Sequence, residues 1–179
     1  MNGLVVLVRG LNVGGHRRFK PAVLAGQLKH LGAVNIGAAG TFVFRQPIGR
    51  TRLRHEIARR LPFEAEIVIC DGRQIVELLS TTVFAGFCVR PDVVRFVSVL
   101  SRRPVSAPRL PVTFPPRGRW LLRVLACDGR FVLGVYRRHM KVIGYLGGLD
   151  RLFGVPATTR NWNTITTIAK ALERSAPAV

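Results

Sequence analysis

A chain of 179 residues, 48% of them hydrophobic, is long enough to bury a core, as one domain or as two small ones, and holds no apolar run long enough to span a bilayer. Lysine and arginine number 28 against 9 acidic residues, a net charge of +19, which argues against basic partners and for a polyanion: RNA, DNA or an anionic lipid surface. The opening stretch "MNGLVVLVRG" lacks a basic n-region and a long apolar core, and Cys70, Cys88 and Cys127 suit neither a disulfide framework nor a CxxC metal knuckle; a cytoplasmic protein with free thiols is expected.

Taken in chain order, "GLVVLVR" (3–9) is a β-branched run that reads as a strand and ends in the glycine-rich loop "GLNVGGHRR". Pro21 suits the first turn of a helix, where its missing N–H is no loss; Leu24, Leu28 and Leu31 form the inward stripe, and Gly32 ends it. Two strands follow near 33–37 and 40–45. A helix over about 49–61 then turns Leu53, Ile57 and Leu61 inward and leaves Arg52, Arg59 and Arg60 off the stripe. A strand at 65–70, an Asp71-Gly72 turn and a short helix at 73–80 complete a βαββαβ order, the split βαβ of ferredoxin-like plaits.

Past "TTVFAGF", the run "DVVRFVSVL" (92–100) reads as a strand. "SRRPVSAPRLPVTFPPRGR" (101–119) holds five prolines and five arginines, and is a loop or extended segment too proline-rich for a central strand. "RWLLRVLAC" and "RFVLGVYRR" flank Asp128-Gly129 as a hairpin. A helical piece is expected near 146–153 and a final helix over about 161–174. These elements divide into subdomains at 1–85 and 86–179.

The loop "RGLNVGGHRR" (9–18) sets Arg9, Asn12, Gly14, Gly15, Arg17 and Arg18 between a strand and a helix N-terminus, where backbone N–H groups converge on an anion. It is neither GxGxxG nor a P-loop, so it reads as a phosphate-binding loop or as a structural loop with solvated arginines. Phe42 and Phe44 alternate where an RNA-recognition motif would carry its stacking aromatics, yet the first strand offers only Leu and Val; core phenylalanines are the expectation. No HxxxH, HExxH, GxSxG or paired-Asp motif occurs, and the four histidines are scattered, so no catalytic residue, metal or cofactor is expected. In "TTRNWNT" (158–164), Thr159 or Asn161 suits a helix N-cap, and Trp162, Ile165, Ile168, Ala169 and Leu172 share an apolar stripe. Capping leaves Arg160, Asn161 and Asn163 only partly explained, as polar groups at the positive end of a helix where an anion is welcome.

The pairing of "LVRGLNVGG" near one end with "GVPATTRNWNTI" near the other resembles a bacterial family catalogued as domain of unknown function 1697. The resemblance takes in essentially the whole chain and implies an α+β fold of two α/β-plait (ferredoxin-like) subdomains in tandem, each with an antiparallel sheet. It brings no activity, cofactor or catalytic residue with it. The chain departs from the family pattern at Ala39-Gly40-Thr41, where Ser-Gly-Asn is common, and at Met140-Lys141-Val142-Ile143, where a Gly-Arg-Ser-Lys-like stretch is common.

Three functions fit these residues. The first is a non-enzymatic binder of nucleic acid, or of another polyanion, whose phosphate contacts come from Arg9, Arg17, Arg18, Arg52, Arg59, Arg60 and the Pro/Arg segment. The second is an enzyme or sensor for a small phosphorylated or nucleotide ligand, held by Arg9, Asn12, Gly14, Gly15, Arg160, Asn161 and Asn163. The third is a scaffold with no ligand, in which the two motifs only lock the subdomains together.

Overall fold

The apolar runs "LVVLV", "TFVF" and "IVIC" carry no alternation of polar and apolar residues, and strands of that kind belong in a sheet covered on both faces. The computed structural model describes residues 3–10, 19–87 and 90–173. It bears out the pattern: Val5, Val6, Leu7, Phe42, Val43, Phe44 and Cys70 are wholly buried. Two compact units result, one made of 1–80 with 163–179, the other of 81–162.

The first unit runs β1 (Leu4–Val8), α1 (Pro21–Gln27), β2 (Ala33–Asn35), β3 (Thr41–Phe44), α2 (Arg50–Ala58), β4 (Ile67–Asp71) and α3 (Gly72–Glu77). Its sheet order is β2-β3-β1-β4, antiparallel throughout, with Val6 opposite both Phe42 and Ile69. This is the βαββαβ plait expected from the sequence. Val6, Val8, Phe42, Phe44, Ile67 and Ile69 share one face and pack against Leu24, Leu28, Leu53 and Ile57 from the helical layer. Phe42 and Phe44 are therefore core residues, not a base-stacking platform. Pro21 occupies the first turn of α1, and Gly32, at φ 72°, ends the 3-10 turn Lys29–Leu31 behind it.

The second unit contains β5 (Val93–Leu100), β6 (Val112–Phe114), β7 (Leu122–Asp128), β8 (Phe131–Arg137), α4 (Val142–Gly147), α5 (Leu149–Phe153) and β9 (Ala157–Asn161). Its antiparallel sheet is ordered β6-β7-β8-β5-β9, so the run β7-β8-β5-β9 repeats the strand order of the first unit. The first crossover helix of a plait is missing. The Pro/Arg-rich stretch stands in its place and supplies β6, which lies at the sheet edge, where proline's lost donor costs nothing. Phe96, Leu100, Leu122, Val124 and Val132 form the face covered by Val142, Leu149 and Phe153. The Asp128-Gly129 turn joins β7 to β8 as expected, with Gly129 at φ 58°.

Three expectations need correction. The helical piece near 146–153 is two short helices that begin at Val142. "ATTRN" (157–161) is strand β9, not the approach to a helix cap, and Thr159 lies within that strand with its hydroxyl 2.5 Å from Ser98 Oγ. The final helix, α6 (Trp162–Glu173), groups from Asn163 onward with the first unit instead of the second. The reason is local packing. A Cβ on Gly72 would lie 2.7 Å from Leu172 Cδ2 and 3.0 Å from Gly3 O, and one on Gly3 would also lie 2.7 Å from Leu172 Cδ2. Two side-chain-free positions form the seat that Leu172 fills.

Two substitutions test this packing. Leu172→Ala should empty the seat and lower the unfolding free energy by about 2–5 kcal/mol in urea titrations. Gly134→Ala should be destabilising as well: its Cβ would stand 2.3 Å from Arg123 O and 2.6 Å from the Phe96 ring, inside a central strand. An overpacking loss of about 1–3 kcal/mol or more is expected, and unchanged stability would show that β8 can shift away from Phe96.

Candidate functional site

Arginine is the commonest polar group in this chain, and helix α2 shows how the fold divides it between structure and surface. Strand β4 is an edge, so alternate carbonyls face outward with no strand to bond them. Arg50 Nη1 donates to Ile69 O at 3.1 Å and Arg54 Nη1 to Ile67 O at 2.6 Å, which closes that edge. Arg50 Nη2 also pairs with Asp71 Oδ1 at 2.5 Å. One turn on, Glu56 holds two arginines: Arg59 Nη2 at 2.8 Å and Arg60 Nη1 at 2.5 Å. The hydrogen bonds from Arg59 and then Arg60 hold the Glu56 carboxyl down at about 2. Of the three α2 arginines singled out from sequence, Arg59 and Arg60 are thus partly neutralised, while Arg52 is exposed.

In the second unit, Arg137 and Arg123 both lie over the ring of Trp120, at 4.4 and 4.9 Å from its centroid. Arg137 Nη1 also donates to the Asp92 carboxylate. Such stacking gives a guanidinium an acceptor where no carboxylate is available. The Pro/Arg-rich segment that precedes Trp120 in the chain is basic and unbalanced. Arg102, Arg103, Arg109, Arg117 and Arg119 are all exposed, and no Asp or Glu occurs between 101 and 119. Arg138, His139 and Lys141, which follow β8, are exposed too. The sequence reading named the Pro/Arg segment but passed over Arg137, Arg138 and Lys141. The run "RRHMK" (137–141) was the available signal, masked by its position at the end of a hairpin strand.

The residues of the two end motifs have different fates. Asn12, Gly14, Gly15, Arg17 and Arg18 lie outside the described residues. Arg9 follows β1 in the first unit, and its N–H donates to Glu66 O at 2.9 Å. Arg160 and Asn161 belong to the second unit and Asn163 to the first. Arg160 stands opposite Val97 in the sheet register, 8% exposed, on the face that carries Val97, Val99, Leu133 and Val135. Its Nη1 donates to Thr159 O at 2.8 Å, and burial pushes its guanidinium down to about 10, which still leaves it charged at neutral pH. Asn161 and Asn163 are exposed; Asn163 O accepts the hydroxyls of Thr166 and Thr167 at 2.9 and 2.8 Å. Trp162 packs edge-on against Phe84, with ring centroids 5.0 Å apart. The cluster therefore splits into one buried cation and two exposed amides.

Among the described residues, no group of three or more His, Cys, Asp or Glu is placed to hold a metal ion, and no helix is long and apolar enough to cross a membrane. Cys70 is buried inside β4.

The family model described as "Protein of unknown function (DUF1697)" matches residues 1–111, a range that includes the first end motif. The chain is similar in fold to a solved structure described as conserved bacterial protein SP0830 from Streptococcus pneumoniae. The two share 17% sequence identity at a TM-score of 0.58, covering 97% of this chain and 99% of that one. No curated protein matches the chain.

The Glu56 pairing has a pH signature. Its carboxyl sits at about 2 in the folded chain against an ordinary 4.5, so its stabilising effect is complete above 4.5 and is lost as pH falls toward 2. Thermal melts of wild type and Glu56→Gln should therefore differ most at neutral pH and converge between these two values. A gap that stays constant down to pH 2 would mean that the arginines contribute nothing through this carboxylate.

Proposed function

The chain belongs to the DUF1697 family of proteins of unknown function, and we propose that this member is a non-enzymatic binder of nucleic acid that grips the phosphate backbone with exposed arginines. The observation that carries this reading is the segment 101–119: all five of its arginines are exposed, and it contains no carboxylate to neutralise them. Four carboxylates of the chain, Glu56, Asp71, Glu77 and Asp92, are each ion-paired with arginine already, so they do not offset that surface. Its prolines spare the segment part of the entropy of ordering a flexible loop, and it supplies the edge strand β6. Several guanidiniums spread along such a segment suit a repeated phosphate better than a single small ligand. Arg52 adds an exposed cation from the first unit, and Arg9, Arg17, Arg18, Arg59 and Arg60 are the other contacts expected from the sequence. In this reading the protein acts in the cytoplasm, on backbone contacts and without base-specific readout.

The test is salt dependence. Affinity for a short oligonucleotide should fall linearly on a log–log plot with a slope of about −0.7 per phosphate contact on single strands and about −0.9 on duplex DNA. Replacing Arg102, Arg103 and Arg109 together with Gln should reduce the magnitude of the slope by about one for each guanidinium that had met a phosphate, and leave the melting temperature unchanged. Binding indifferent to salt, or a slope untouched by the triple substitution, would overturn the reading.

A further inference from the structure

A concavity of about 450 Å³ opens in the second unit beside the end of β8. Arg119, Arg137, Arg138, His139, Lys141 and Tyr145 of α4 are among the residues that line it. Asp92 is the one carboxylate in the lining, and it is bonded to Arg137. Four permanent cations thus face a space that holds a single, already paired, negative charge.

The donors are held in place by contacts with the protein itself. Arg137 is fixed by Asp92 and by the Trp120 ring 4.4 Å away. The backbone N–H of Arg138 donates to Asp92 O at 2.8 Å and its Nε to Pro91 O at 3.1 Å; among the described residues these bonds leave its terminal amino groups for a ligand. His139 Nδ1 accepts the Lys141 N–H at 3.2 Å, so the ring proton of the neutral imidazole belongs on Nε2, which becomes a donor. Tyr145 is stacked on Phe114 at 5.6 Å, which positions its ring and hydroxyl. Such preorganisation lowers the entropy lost when an anion is bound.

We propose that this pocket binds a phosphate monoester, either the terminal phosphate of a nucleic-acid strand or the phosphate of a small metabolite. A monoester carries about −1.5 to −2 charges near neutrality and three acceptor oxygens, which match a cluster of several cations and hydrogen-bond donors. An internal phosphodiester offers one charge and two free oxygens and must continue as chain on both sides, whereas a concavity admits an end. The volume lies within the range of small-ligand pockets, about 300–1,000 Å³. The site shares Arg119 with the 101–119 segment, but its other cations, Arg137, Arg138 and Lys141, lie outside that segment, so a single phosphate group can bind here without strand binding by the segment.

Titration calorimetry on the full chain at physiological ionic strength tests the proposal with five probes: inorganic phosphate, a nucleoside 5′-monophosphate, its parent nucleoside, and one short oligonucleotide carrying a 5′-phosphate or a 5′-hydroxyl. The monophosphate should bind and the parent nucleoside should not. The double variant Arg138→Ala, Lys141→Ala should weaken that binding by about tenfold or more per charge-assisted hydrogen bond removed. Both side chains are exposed, so its melting temperature should match wild type, and Lys29→Ala in the first unit should bind normally. Preference for the phosphorylated oligonucleotide, with weak binding of the free monophosphate, assigns the pocket to strand ends; comparable binding of both assigns it to the phosphate group alone. Equal, salt-dependent binding of the two oligonucleotides with no binding of monophosphate would overturn the pocket and leave backbone binding standing. Monophosphate binding that survives the double variant would overturn the pocket alone, and no binding by any probe would overturn both readings.

Discussion

Each arginine brings five N–H donors into a chain that has 9 carboxylates for 28 basic residues, and the structure is arranged around finding acceptors for them. Where carboxylates run out, backbone carbonyls and aromatic rings take over. Arg50 and Arg54 bond the outward carbonyls of β4, a role that another strand would otherwise fill. An open sheet edge invites pairing with a second chain, and two guanidiniums close this one without adding an element to the fold. Arg95 lies over the Phe84 ring at 5.5 Å and donates to Phe87 O, while Arg123 and Arg137 share Trp120.

This allocation separates arginines that hold the protein together from arginines that stay exposed at the surface. Arg160 is the extreme structural case. Burial in the sheet lowers its pKa, and its Nη1 donates to Thr159 O. The arginines of 101–119 are the opposite case, exposed and without a carboxylate in their own segment. Counting positive charge along the sequence treats these groups alike. Only their acceptors distinguish them.

The strands of the first unit were readable because their apolar runs are unbroken, and α1 because Pro21 marks its start, although the helix itself ends at Gln27 and Gly32 ends the 3-10 turn behind it. Strand β9 was not, although Thr158 and Thr159 are β-branched. Asn161, just before the helix, drew the whole segment toward a capping interpretation. The repeat of the plait strand order in the second unit was also hidden from local pattern. Its first crossover is a proline-rich segment instead of a helix, so only the pairing of β5 with both β8 and β9 reveals it. Among the candidate site residues, exposure of Arg52 followed directly from the helical stripe set by Leu53 and Ile57. The sharing of Glu56 by Arg59 and Arg60 did not, since three- and four-residue spacings permit such pairs without requiring them.

By itself the sequence determined the basic surplus, the βαββαβ order of the first half, the Asp128-Gly129 hairpin and the exclusion of the Pro/Arg segment from any central strand. These are consequences of composition and of short-range backbone preference, which act between neighbours in the chain. The tertiary structure alone decided that α6 returns to the first unit, because the seat for Leu172 exists only when Gly3 and Gly72 lie side by side at the ends of paired strands. It also decided that Arg119, Arg137, Arg138, Lys141 and Tyr145 share one concavity. That grouping depends on strand register and on the path of the chain from β6 into β7, and spacing along the sequence carries neither.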